Sequence, residues 1–336
     1  MNTARGPRPF ALLDPGAAAS VRPGHVLLVN FLAAWLTAFM TTAINIALPS
    51  IQTEFRLGAV PMGWLPLGYV LAMAILMLPF GRVGDRYGRR LLFLGGLVVF
   101  AASSIALALA NSYALLMLFR ILQGVGAAMM FATSMAMVTL AYPPHQRGWA
   151  MGMSVAAAYL GQTTGPLLGG IIVYNIGWRS LFLIAGFCAF ITLGLDLSLL
   201  RRAEWKEGRH VGFDWSGSAI YTVALFMFIL GLSWVPLTEG LALLGAGIAG
   251  LAFFGWWESR AQSPIIVLSL FRQNRVFLFS VLTALINYSS LWCVTYLLSL
   301  YLQFIKGLNA QTAGLMIIVA VAIQFFLSPF GGRLSD

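Results

Sequence analysis

Ten apolar runs, each long enough to cross roughly 30 Å of hydrocarbon as a helix, begin near His25, Met62, Leu91, Ser112, Gly148, Trp178, Asp214, Gly240, Phe277 and Gln311. Few folds are open to such a chain. Within a bilayer core, backbone N–H and C=O groups must be satisfied inside the segment or in a closed barrel, so runs of this length read as transmembrane helices. Charged residues are only 9% of the 336 and hydrophobic residues 60%, whereas soluble domains carry about 25% charged residues. The expected fold class is an all-α polytopic membrane protein.

The first run, Val26 to Leu48, follows Arg5, Arg8 and Arg22 and so resembles the basic start of a secretory signal. A signal's apolar region is only about 7–15 residues and ends at a small-residue cleavage site. This run therefore reads as a retained helix. Cys188 and Cys293 fall inside spans, which favours apolar packing over a disulfide.

The net charge of +10 does not point to nucleic acid, because the cations are sorted by side. Alternating the connections puts sixteen Lys and Arg on one side and only Arg56, Arg179 and Lys306 on the other, with Arg120 inside a span. That asymmetry is the positive-inside pattern, and it places the N-terminus in the cytoplasm. The only long polar stretch runs from Arg201 to Asp214 and includes Arg202, Lys206, Arg209 and His210. Two readings stand for it, a solvated linker on the membrane surface or a lipid or partner site.

The connection Gly81-Arg82-Val83-Gly84-Asp85-Arg86-Tyr87-Gly88-Arg89-Arg90 is partly repeated at Gly332-Arg333-Leu334-Ser335-Asp336. An internal repeat in a lipid-embedded chain is a usual design of secondary transporters, whose related halves rock about a central site. Three glycines permit a tight reversal between spans 2 and 3, and one carboxylate among four arginines is expected to be paired. Arg120 lies eight residues after Ser112, about 12 Å into its helix at 1.5 Å per residue. Insertion scales charge about 2.5–3.5 kcal/mol for a cation at a helix centre, and such residues face a bundle interior or a wet cavity. The following Gln123-Gly124-Val125-Gly126 thins one helical face. In span 5, Gly161, Gly165 and Gly169 share a face around Pro166, with Gly170 beside them. That face suits close packing, or a helix that bends and moves.

Together these residues resemble the major facilitator superfamily, in particular its fourteen-spanner drug–proton antiporter branch. The resemblance rests on Gly81–Arg90 as the helix 2–3 gating signature, Arg120 with Gln123, Gly124 and Gly126 as the helix 4 signature, and Gly161–Gly170 as the helix 5 antiporter signature. Asn45-Ile46-Ala47-Leu48-Pro49, Gly177-Trp178-Arg179, Phe213-Asp214-Trp215, Trp257-Glu258-Ser259-Arg260, Leu270-Phe271-Arg272 and Tyr301-Leu302-Gln303 continue it. It implies major facilitator-like helical bundles with two inserted helices. The expected layout is a cytoplasmic tail over 1–25, a six-helix bundle over 26–200, a cytoplasmic linker over 201–213, two inserted helices over 214–260, and the start of a C-terminal bundle over 261–336. Fourteen spans are implied and ten are supplied, so a fragment or a shortened reading frame is expected.

The resemblance implies a multidrug efflux antiporter in the cytoplasmic (inner) membrane. Such a protein would be a monomer that exchanges small, lipophilic molecules for protons by alternating access. It also implies that Asp85 stabilises the outward-facing state by meeting the positive end of a second-bundle helix. Members of the branch commonly carry an aspartate five residues before the helix 1 Asn, and here Met40 stands there. Asp196 is then the least exposed acid, serving either as a boundary residue beside Arg201 or as a proton carrier. Asn45, Gln123, Gln162 and Asn287 are candidates to line a polar cavity or to bond neighbouring helices. Lys206 and Lys306 are the only lysines and neither sits in a phosphate-cradling loop, so ATP is not the expected fuel. No metal-binding, Cys-x-x-Cys or hydrolase pattern occurs, so neither an enzyme nor a cofactor is expected. Two alternatives stay open: a non-transporting remnant or ligand sensor, and a carrier not coupled to protons.

Overall fold

The computed structural model describes residues 21–201, 205, 214–261, 263–266, 268, 271, 273–301, 305, 306, 316, 323, 327, 330, 331 and 334. Among these the long elements are nine α-helices: α1 (Pro23–Phe55), α2 (Ala59–Tyr87), α3 (Arg89–Leu109), α4 (Tyr113–Ala141), α5 (Arg147–Ile176), α6 (Trp178–Leu199), α7 (Trp215–Ser233), α8 (Thr238–Glu258) and α9 (Arg275–Leu300). No strand occurs among the described residues. The helices coincide with the first nine apolar runs. The tenth run, the recurrence at Gly332–Asp336, Leu270, Arg272, Leu302, Gln303 and most of 201–213 lie outside the described residues.

Local chemistry explains the boundaries. Pro23 starts α1, where its missing N–H costs no helical bond. Ser112 caps α4 by accepting from the Leu115 N–H, and Asn274 caps α9 by accepting from Phe277 at 3.0 Å, each satisfying an orphan donor. The α5–α6 junction turns on Gly177 at φ 95°.

Seven helices, all but α5 and α9, are long and apolar enough to cross a membrane by length and composition. In α5 the glycine face takes the place of aliphatic bulk, and α9 contributes the shorter apolar stretch Arg275–Ser290. Helix α1 packs along α5, α3 along α4 and α6, and α2 along α4. Their shared core includes Leu36, Phe39, Met40, Tyr69, Phe93, Phe100, Met130 and Phe182. Helices α7 and α8 pack chiefly on each other, and α7 also touches α2.

Two expectations change. The Gly81–Arg90 segment is not an open loop, because α2 runs through Tyr87 and α3 resumes at Arg89. Only Gly88, at φ 123°, makes the reversal, since a side chain is strained in that region. The polar linker is not purely solvated either. Trp205 sinks into the α1–α6 core, and its carbonyl accepts the Arg89 N–H at 2.9 Å.

Candidate functional site

Around the α2–α3 turn, the Asp85 carboxylate is bound by Arg89 across Gly88, with Nη2–Oδ1 at 2.6 Å and Nε–Oδ1 at 2.8 Å. Arg90 reaches the end of α6. Its Nε donates to Asp196 Oδ2 at 2.9 Å and its Nη2 to the Asp196 carbonyl at 3.2 Å. Asp196 is fully buried and is engaged by a guanidinium at the α2–α3 turn end of the bundle, the geometry of a tether between α3 and α6. Arg86 stands over the Tyr87 ring, and Arg82 turns towards the chain beyond α8. Gly84 fits against Thr133, whose Cγ2 would lie 2.9 Å from an added Cβ, whereas Gly81 faces open space.

Deeper in the bundle, Arg120 is 1% exposed and does not snorkel. Its Nη1 donates to Gln123 Oε1 at 2.6 Å and its Nε to the Leu65 carbonyl at 3.2 Å. Gln123 passes the chain on to Ser104 Oγ at 2.8 Å, and Ser104 donates to the Phe100 carbonyl at 2.6 Å. The guanidinium also lies 4.6 Å from the centre of the Tyr69 ring, a cation–π contact that strengthens when desolvated. Nη2 has no hydrogen-bond partner among the described residues. The helix 4 glycines make this crowding possible. A Cβ at Gly124 would strike the Tyr69 carbonyl, and one at Gly126 would come within 2.7 Å of Phe100 N.

Glycine also sets the α1–α5 contact. Added Cβ atoms at Gly161 and Gly165 would collide with the Trp35 carbonyl and Thr42 Oγ1, and one at Gly169 would come within 3.2 Å of Ala43 Cβ. The contact is sealed by Trp35 Nε1 donating to Thr164 Oγ1 at 3.1 Å and Thr42 Oγ1 donating to the Gln162 carbonyl at 3.3 Å. Pro166 is accommodated within a continuous helix, and Gly170 faces open space.

Between α1, α4 and α5 lies a cavity of about 210 Å³. Thr37, Ser134, Ser154, Tyr159 and Gln162 supply polar groups, Met130, Phe131 and Met135 supply apolar bulk, and Tyr288 of α9 faces it. Among the described residues no charged side chain lines it. Of the predicted cavity residues, Gln162 is in this wall. Asn45 is exposed on α1, and Asn287 lines a separate, open groove with Tyr288 and Arg275. Met40 is fully buried in the core. Sequence reasoning missed Ser134, Ser154 and Tyr159. Small polar or phenolic groups inside otherwise apolar spans were the available signal.

The Major Facilitator Superfamily model matches residues 31–336. The chain is similar to the multidrug resistance protein Stp of Mycobacterium tuberculosis (strain CDC 1551 / Oshkosh), at 32% identity over 318 residues, covering 91% of this chain and 58% of that protein. It is similar to the tetracenomycin C resistance and export protein of Streptomyces glaucescens, at 29% over 326 residues, covering 95% and 60% respectively. It is also similar to the riboflavin transporter RibZ of Clostridioides difficile (strain 630), at 29% over 314 residues, covering 93% and 68%. The chain thus spans about three fifths of the length of the first two relatives. Among solved structures, the proton:xylose symporter XylE aligns with a TM-score of 0.62 at 17% identity, over 91% of this chain and 68% of that one. The human organic anion transporter MFSD10 aligns at 0.63 and 19%, over 93% and 72%. At those identities the likeness is one of fold.

Proposed function

Because this chain belongs to the major facilitator superfamily, we propose that it works as a membrane transporter, not an enzyme, exporting small lipophilic molecules across the cytoplasmic membrane by alternating access. The observation that carries this reading is the charge-free cavity between α1, α4 and α5, walled by methionine, aromatic and small polar groups. Sites that hold drug-sized ligands are mostly apolar with a few placed polar groups and run to about 300–1,000 Å³. At about 210 Å³ this cavity would be one wall of such a site, with Tyr288 belonging to the facing wall. Relatives named for multidrug resistance and for tetracenomycin C export support the same substrate class.

The layout that suits this function is the fourteen-span branch, with a cytoplasmic N-terminus, a six-helix bundle over 26–200, a linker over 201–213, inserted helices over 214–260 and the second bundle from 261. The protein would act as a monomer. The α2–α3 signature with Asp85 and Arg89 gates movement at the cytoplasmic face. The tight α1–α5 contact seals the bundle, and Arg120 supplies a buried positive charge that responds to proton movement. Asp196 is assigned the tether to Arg90 and not proton carriage.

Export in exchange for protons is tested by dye accumulation in efflux-deficient bacteria expressing the full chain. Accumulation several-fold lower than in control cells, restored by a protonophore, is the expected result, and Asp85→Asn should abolish it. Accumulation equal to that of control cells would reject transport. A second reading, a carrier not coupled to protons, is favoured by two observations: Met40 is packed in the core, and among the described residues no acid lines the cavity. It predicts efflux that a protonophore leaves unchanged.

A further inference from the structure

A second polar cluster lies at the same end of the helices as the α2–α3 turn, apart from the cavity and from Arg120. Helix α8 ends at Glu258, whose side chain is buried at 3% exposure. Its carboxylate turns onto the chain that follows: Oε1 accepts from the Ile265 N–H at 3.2 Å and Oε2 from the Ile266 N–H at 3.4 Å. From the other side Arg82, in the last turns of α2, donates Nη2 to the Pro264 carbonyl at 2.6 Å and Nε to the Ile265 carbonyl at 2.9 Å. Ile265 is therefore held by both polar edges of its backbone, the N–H by a carboxylate and the C=O by a guanidinium. Helix α7 closes the cluster. Asp214 accepts from the Gly217 N–H and from Trp257 Nε1, both at 2.8 Å, and a Cβ at Gly217 would lie 3.1 Å from Glu258 Oε1.

This arrangement is more specific than joining two helices requires. Hydrogen bonds with an ionised partner are roughly twice as strong as neutral ones, and a planar guanidinium fork holds two neighbouring carbonyls in one fixed geometry, whereas an ammonium is a point donor on a flexible stem. Arg82 lies three residues before Asp85 on the same end of α2, so any shift of the α2–α3 signature pulls on the strap. The strap in turn links α8 to the segment leading into α9.

We propose that Arg82 and Glu258 form a two-sided clasp on Pro264–Ile266 that couples movement of the α2–α3 signature to the α7–α8 pair and to the start of the second bundle. Arg82 is thus a positioning residue of the transport cycle. The proposal rests on the alternating-access reading above. It gives α7 and α8 a mechanical part in the cycle, beyond that of a spacer between bundles.

The first test is hydrogen–deuterium exchange of the full chain in nanodiscs, read on the peptide containing Ile265 and Ile266. Arg82→Ala and Glu258→Gln should each speed exchange about tenfold, and the double variant no more than the larger single one, because both act on one peptide. Arg82→Lys, which keeps the charge but loses the rigid fork, should exchange faster than wild type and more slowly than Arg82→Ala. Arg86→Ala, which removes a neighbouring cation over Tyr87, should leave exchange at the wild-type rate. The second test places spin labels at the exposed positions Tyr87→Cys and Ser259→Cys on a Cys188→Ala, Cys293→Ala background. The otherwise wild-type chain should give a narrow distance distribution and Arg82→Ala a broader one. Unchanged exchange in both single variants would overturn the clasp, and fast exchange with an unchanged distance distribution would overturn the coupling. Neither readout requires transport. A protected strap in a chain that exports no dye would reject the transport reading and keep the clasp, whereas an unprotected strap in an exporting chain would reject the clasp alone.

Discussion

Two arginines are buried in the same six-helix bundle with opposite arrangements. Arg90, in the first turn of α3, is matched by a carboxylate: Asp196 meets it at 2.9 Å and adds its own carbonyl. Arg120, within α4, has an amide oxygen, a backbone carbonyl and an aromatic face. Dipoles and a ring stabilise a cation without neutralising it, so a field remains at Arg120 that a passing anion or proton would feel. At Arg90 the charge is cancelled in place. The difference separates a buried charge matched by a carboxylate from one met only by dipoles and a ring, and burial alone does not distinguish them.

The largest expected effect comes from breaking the matched pair. Removing one member of a buried ion pair leaves an uncompensated charge and typically costs about 3–5 kcal/mol. Asp196→Ala should destabilise the purified chain by that amount in thermal unfolding in detergent. The double variant Arg90→Met with Asp196→Leu should recover most of it, because well-packed apolar replacements of buried pairs are often neutral or stabilising. A double variant as unstable as the single would mean that Arg90 contributes through packing and not through its charge.

An intermediate effect on stability, with a large one on activity, is expected at Arg120. Arg120→Met removes the desolvated charge together with its bonds and leaves Gln123 and the Leu65 carbonyl seeking partners, a net loss of about 1–2 kcal/mol. Dye export by the full chain should nevertheless be abolished. A loss of stability equal to that of Asp196→Ala, or export at the wild-type level, would erase the distinction between the two arginines.

Much of this was legible in the sequence, and the part that was not has a physical reason. Lipid forces each span to be a long apolar helix, so nine helices could be placed from composition along the chain. Arg120 stood out because a cation inside a span has few acceptable surroundings. The shared face of Gly161, Gly165 and Gly169 follows from helical geometry alone. Partners distant in sequence leave no such local trace. Arg90 with Asp196, Arg82 with Pro264 and Ile265, and Tyr288 across the cavity depend on how helices are arranged around one another. The burial of Trp205 within the 201–213 stretch was hidden for a related reason, since one aromatic residue in a charged strip carries no periodicity to announce it. Gly84 and Gly88 look alike in the string, yet one makes a helix contact and the other makes the turn. Asn45 shows the same limit, because its polarity is visible in sequence but the side of α1 it occupies is not.

The smallest effect should come from the opposite end of the bundle, where a third ionic cluster joins α1 to α6. Glu54 meets Arg179 at 2.6 Å, with the two side chains 40% and 39% exposed, and accepts from Trp178 Nε1 at 2.8 Å. Exposed pairs contribute about 0–1 kcal/mol and are screened over about 8 Å at physiological salt. Glu54→Gln should therefore cost under about 1 kcal/mol, and less as salt is raised, when unfolding is compared at low and high ionic strength. Arg179→Ala should cost more than Glu54→Gln, because Arg179 also donates to the Ala110 carbonyl at 3.2 Å and lies 4.3 Å over the Trp178 ring. Those two contacts depend much less on salt than the ion pair does. A salt-independent loss at Glu54 matching that of Asp196→Ala would show that exposure does not set the strength of these pairs, and would remove the ground for treating Arg90 and Asp196 as the bundle's principal tether.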